Sequence, residues 1–133
     1  MTREILFRGK RVDNGEWVEG YYSPVNIPIT GNMGHFINVG GYRAVEIDPE
    51  TVSQFTGLCD KNDVKIFEGD IIEYTDGCND WLGAVKYASD DAQFVVRFIG
   101  GDVESFDNLY CGNCEVIGNI YDNPELLEVN NDE

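Results

Sequence analysis

Short runs of alternating apolar and polar residues recur from one end of this chain to the other, each broken by Gly, Asn or Asp. That is the pattern of β-strands joined by tight turns. "EILFRG" at 4–9 and "EWVEGYY" at 16–22 flank "KRVDNG", where Asn14-Gly15 offers a positive-φ pair suited to a hairpin. "SPVNIPITGNMG" at 23–34 carries Pro24 and Pro28, which suit a loop or an edge segment better than a central strand. "HFINV" at 35–39 and "YRAVEI" at 42–47 make a second hairpin about Gly40-Gly41. "VKIF", "GDIIEYT", "LGAVKYA", "QFVVRFI", "VESF" and "EVIGNIY" follow, separated by "TDGCND", "SDDA" and "GGD".

One stretch reads as helix. In "DPETVSQFTG" Asp48 can cap, Pro49 stands at the first helical position and Glu50 suits the positive end of the dipole. Gly57 stops the run, so one short helix is expected near residues 49–56. "NPELLE" at 123–128 adds a terminal helical turn, and "VNNDE" is a polar tail expected to fray. The expected fold is mainly β: a small SH3-like or partly open barrel plus additional strands and that helix. At 133 residues a single domain over 1–133 is expected, with a subdivision into a β part over 1–56 and a barrel-like part over 57–128.

Nine basic residues against 25 acidic ones give a net charge of −16, and residues 1–20 are balanced, so the deficit lies in 21–133. Such a surface repels phosphate, which argues against direct nucleic-acid binding. It suits a soluble protein, or one that docks on a basic partner. Hydrophobic residues at 42% supply a core. No apolar run reaches the ~20 residues of a membrane span, and "MTREILFRGKR" is not a secretory signal. A cytoplasmic protein is expected.

"GLCDKNDVKIFEGDIIEY" at 57–74 is rich in acids and turn formers, and three readings compete for it. As an EF-hand begun at Asp60 it fails, because Val64, Lys65 and Ile71 fall where ligands and the turn glycine must be. As a phosphate loop it lacks the Gly-rich cradle, and Glu68 and Asp70 would repel the anion. As a corner between strands it makes sense throughout. "DKND" supplies side chains that bond the nearby backbone, Glu68-Gly69 lets the chain turn, and "DIIEY" resumes with Ile72 and Tyr74 on one face.

Four cysteines raise zinc. "CGNC" at 111–114 has a knuckle's spacing, but Cys59, Cys78 and His35 arrive singly, and two of them would have to converge on Cys111 and Cys114 to close a site. His35, the sole histidine, would have to serve any catalytic relay, and no nucleophile motif accompanies it. Asp90-Asp91 and the set Asp102, Glu104 and Asp107 are carboxylates of turns rather than an acid–base pair. No catalytic, cofactor-binding or metal residue is assigned. Trp17, Tyr21, Tyr22, Trp81, Tyr87, Phe94, Phe98, Phe106, Tyr110 and Tyr121 exceed the evident needs of so small a core, and some are expected in an oligomer seam or a partner pocket.

Three blocks, "LFRGKRVDNGEWVEGYY" at 6–22, "IDPETVSQFTGLCDKNDVKIFEGDIIEY" at 47–74 and "VIGNIYDNPELL" at 116–127, resemble the YopX-type proteins, a family of phages and prophages. Where that family's turn reads Asp-Lys-Asn-Gly, this chain has Asp63, a residue that tolerates left-handed φ with some strain. The resemblance implies a mainly β fold, a prophage origin in a bacterial host and self-association; it implies no reaction. The expected function is therefore a non-enzymatic accessory protein, either a protein-binding or a self-assembling module. Two alternatives stand beside it: an acidic inhibitor imitating nucleic acid at a host or phage enzyme, and a small metal-assisted hydrolase.

Overall fold

A computed structural model describes residues 5–29, 31–41, 43–106 and 109–128. The protein is mainly β, with eleven strands among the described residues and helical structure only as single 3-10 turns. Backbone packing divides it into two compact units, Met1–Phe55 and Thr56–Glu133.

The first unit contains β1 (Phe7–Lys10), β2 (Trp17–Ile27), β3 (Asn32–Gly40), β4 (Arg43–Glu46) and the start of β5 (Ser53–Cys59). Its antiparallel order is β4-β3-β2-β1-β5. The β1–β2 hairpin forms where "DNG" places it, but only Gly15 takes a positive φ of 74°. The bond from Gly15 N to the Arg11 carbonyl, 3.0 Å, makes a wider loop than a two-residue turn. β2 changes partner along its length: Trp17–Gly20 pair with β1, and Tyr21–Ile27 pair with β3. The change falls at Gly20, where any Cβ would run into the Asn38 carbonyl oxygen. Ile37, Ile47 and Phe55 are buried, and Gly9 is small enough for Ile47 to lie within 3.1 Å of where its Cβ would be.

The helix expected near 49–56 is a correction. Asp48 does cap, its Oδ1 accepting from Glu50 N at 3.0 Å, but the helical turn ends at Pro49–Thr51 and the chain enters β5 at Ser53. Val52 and Thr51 are β-branched, and Ser53 and Phe55 are buried while Gln54 is half-exposed, so alternation rather than a helical stripe satisfies the segment. The turn at Pro124–Leu127 forms as read. The polar tail over 129–133 lies outside the described residues.

The second unit contains the end of β5, β6 (Lys65–Phe67), β7 (Asp70–Thr75), β8 (Asp80–Ala88), β9 (Gln93–Phe98), β10 (Val103–Ser105) and β11 (Cys114–Asn119). β5 neighbours β6, and an antiparallel sheet runs β10-β9-β8-β7-β11. Among the described residues neither this sheet nor that of the first unit closes on itself into a barrel. Alternation sends Ile72, Val85, Val96 and Phe98 to one face, where they pack with Ile66 and Cys114, and Tyr74, Phe106, Leu109 and Val116 complete the cluster. Ile71, Ala84 and Val95 on the opposite face are also buried, so the strands read as nearly continuous apolar runs.

Candidate functional site

The acidic corner is built as backbone support. Asp60 N donates to Val64 O at 2.8 Å and Asp63 N to Asp60 O at 3.0 Å, closing "DKND" into a turn. Asp63 carries the left-handed φ of 65° that its place in the turn demands. The Asp60 side chain, 7% exposed, accepts three backbone N–H groups: Asn62 (2.8 Å) and Val64 (2.9 Å) on Oδ1, and Val116 (2.8 Å) on Oδ2. Lys61 N donates to Cys114 O at 3.0 Å, so the turn is fastened to β11 at two points. Burial raises the cost of charge on Asp60, but those three donors outweigh it and hold its carboxyl below the usual aspartate range. Asp70, 1% exposed, accepts from Phe67 N at 2.8 Å and so ties the β6–β7 turn. Gly69 there has φ 89°, donates to Val85 O and accepts from Ile120 N.

The cysteines are all free thiols. Cys111 and Cys114 lie close enough for their side chains to hydrogen-bond, with Cys114 buried at the start of β11 and Cys59 half-buried at the end of β5. Burial pushes Cys114 up to about 12, with Cys111 adding to it, and burial also raises Cys111 and Cys59. Cys78 is exposed in the β7–β8 turn, where Asp76 Oδ1 accepts from Cys78 N and Asn79 N, both at 2.8 Å. Among the described residues no group of three or more His, Cys, Asp or Glu is placed to hold a metal ion.

His35 sits on β3, its Nδ1 2.6 Å from the Tyr22 hydroxyl and its ring stacked on the tyrosine at 5.9 Å. Asp90 and Asp91 are exposed in the β8–β9 turn, which Asp91 N closes onto Ala88 O. Asp107 lies outside the described residues. Asp102 and Glu104 come together around a cavity with Tyr74, Trp81, Phe98 and Leu109. Trp17 is covered by the chain's own cations, with the Arg8 guanidinium 4.6 Å and the Lys10 ammonium 5.6 Å from its ring centre.

The most distinctive surface is a two-stranded ribbon. Beyond Gly20, β2 loses β1 as a neighbour, and β3 pairs with β4 only from Phe36 onward. Among the described residues, therefore, no strand pairs with the outer sides of the hairpin made by 23–29 and 31–34. His35 gives its carbonyl to Ile47 N at 2.9 Å, on the β4 side, which turns it away from β2. Its partner Pro24 then also faces outward, so the missing proline N–H costs no ladder bond. The edge-segment reading of Pro24 holds for this physical reason.

This ribbon is uncharged and exposes several apolar side chains. Tyr21 (69%), Val25 (46%), Ile29 (96%) and Met33 (56%) are exposed along it. Residues 20–42 contain no Asp, Glu, Lys or Arg, a run of 23 positions in a chain where 26% are charged. That gap in the charge pattern was the legible signal of the surface; a reading for turn formers passes over it, because prolines and glycines in the same stretch suggest a loop.

A family model described as YopX protein matches residues 6–128. Among solved structures, the crystal structure of protein EF1440 from Enterococcus faecalis is similar, with a TM-score of 0.58, 28% identity, and coverage of 96% of this chain and 100% of that one. The comparison with curated proteins gave no match.

Proposed function

We propose that this chain, which belongs to the YopX family, is a protein-association module without catalytic activity, and that its β2–β3 ribbon pairs with a second copy. The observation that carries the reading is the uncharged ribbon, whose outer sides pair with no strand among the described residues. At −16, copies repel one another over most of their surface, and the longest stretch free of that penalty is residues 20–42. A β-edge with unpaired N–H and C=O groups is a template for strand addition, and proteins that stay apart blunt such edges with charge. Here no charge is present, and Val25, Ile29 and Met33 offer apolar area to cover. A two-stranded ribbon is marginal alone in water, so pairing also stabilises the arm itself.

A prophage-encoded accessory role in a bacterial cytoplasm fits the family and the fold. In the described residues no helix is long and apolar enough to cross a membrane.

The test is mass in solution by light scattering across a concentration series. The wild type is expected to associate. Ile29→Glu, placing charge on the most exposed apolar side chain, weakens association ~30-fold or more, since burying an isoleucine contributes about 2 kcal/mol. A wild type that stays monomeric throughout the series, or an Ile29→Glu variant that associates as well as wild type, contradicts the reading.

A further inference from the structure

On the cluster face of the second unit's sheet, the core does not close at the β8 end. Tyr74 on β7 pairs directly with Trp81 on β8, their ring centres 5.9 Å apart and tilted by 41°. Two residues along β8 stands Gly83, opposite Phe98. A Cβ at Gly83 would lie 2.9 Å from the Phe98 ring and 2.8 Å from the Arg97 carbonyl oxygen, so only glycine lets Phe98 settle onto the strand. The Phe98 ring then forms part of a cavity of about 270 Å³, walled by Tyr74, Trp81 and Leu109 and flanked by Asp102 and Glu104.

We infer that this cavity binds the guanidinium of an arginine presented by a basic partner protein. Three aromatic side chains line one space, a setting that attracts a cation, and a planar guanidinium can stack on such rings where an ammonium cannot. Two carboxylates at the rim select positive charge and match the paired N–H groups of arginine. The net charge of −16 steers such a partner toward the surface. Lys86 and Arg97, on the strands that wall the cavity, pair across the sheet with Val95 and Ala84 and so project from the opposite face. Among the described residues no cation is recorded over the Trp81 ring, whereas Trp17 already carries Arg8 and Lys10. The same molecule thus places an arginine over a tryptophan ring at Trp17, and Trp81 offers a comparable ring to a partner's arginine. The inference goes beyond ribbon association and does not rest on it, since a monomer would retain the cavity.

The experiment is a titration of the full chain, labelled with ¹⁵N, by Nα-acetyl-argininamide, following the indole N–H signals of Trp81 and Trp17. The expected result is a saturable shift at Trp81 with Trp17 unmoved. Nα-acetyl-citrullinamide, which is neutral and nearly the same shape, leaves Trp81 unmoved, and Nα-acetyl-lysinamide binds several-fold more weakly. The isosteric pair Asp102→Asn with Glu104→Gln lowers the affinity about tenfold or more without altering the rest of the spectrum. Trp81→Leu removes the shift at the Phe98 and Leu109 amides. An equal response to citrulline, equal affinity for lysine, no shift at Trp81, or unchanged affinity in the double variant each overturns the assignment. Light scattering on the same samples reports the ribbon separately, so failure of one reading is distinguishable from failure of the other.

Discussion

Replacing Asp60 tests whether the acidic corner is a backbone clamp. Its carboxylate takes three backbone N–H groups at 2.8–2.9 Å while only 7% exposed. Removing it in Asp60→Ala strips acceptors from Asn62, Val64 and Val116 together. At about 1 kcal/mol net per bond the loss is about 3 kcal/mol, and charge assistance makes that a low figure. Asp60→Asn is the sharper variant. Its amide oxygen keeps Asn62 and Val64, but its NH₂ then faces the Val116 N–H, donor against donor, and costs about 2 kcal/mol. Urea unfolding followed by Trp81 fluorescence in a Trp17→Phe background reports on the second unit. Calcium or magnesium added to wild type is expected to leave the midpoint unchanged. If Asp60→Asn fell within about 0.5 kcal/mol of wild type, or if a divalent cation stabilised wild type and not the variant, the clamp would be refuted.

The remaining predictions concern the same physical features. Because Asp60 is held below its ordinary 3.8, it binds fewer protons folded than unfolded. Its contribution is therefore complete above about pH 4 and lost as the pH falls through the lower folded value, so wild type and Asp60→Asn converge in acid unfolding. Asp63→Gly removes a side chain from a left-handed residue and is expected to stabilise by about 0.5–1 kcal/mol in the same urea assay. Gly20→Ala drives a Cβ into the Asn38 carbonyl where β2 changes partner, and is expected to destabilise the first unit by roughly 2 kcal/mol or more, read by Trp17 fluorescence. With a thiol reagent at neutral pH, mass spectrometry is expected to find Cys78 modified first and Cys114, fully buried and pushed up to about 12, last.

Most of the β organisation was readable because it depends on local chemistry. The corner over 57–74, the Gly40-Gly41 turn and the alternation through "DIIEY" each follow from residues whose side chains or missing side chains settle φ within a few positions. The helix expected near 49–56 stops at Thr51 for the complementary reason. Its start is signalled by Asp48 and Pro49, but its length is decided by the burial of Ser53 and Phe55 and by pairing with β1, more than forty positions earlier. The surfaces were less visible still. Tyr74, Trp81 and Phe98 share a cavity through strand register, and Gly83 opens it; neither is written in any one segment. Asp60 reaches Val116 across 56 positions, a contact that no local pattern announces.

Association through the ribbon is tested most directly at its outer edges. By alternation from Pro24 and His35, the amides of Asn26 on β2 and Met33 on β3 point outward. Residue-resolved hydrogen exchange across a concentration series measures whether they find partners. The predicted result is exchange at both amides that slows as the protein is concentrated and the mass rises. Exchange at solvent-limited rates in a sample shown to be associated would contradict it.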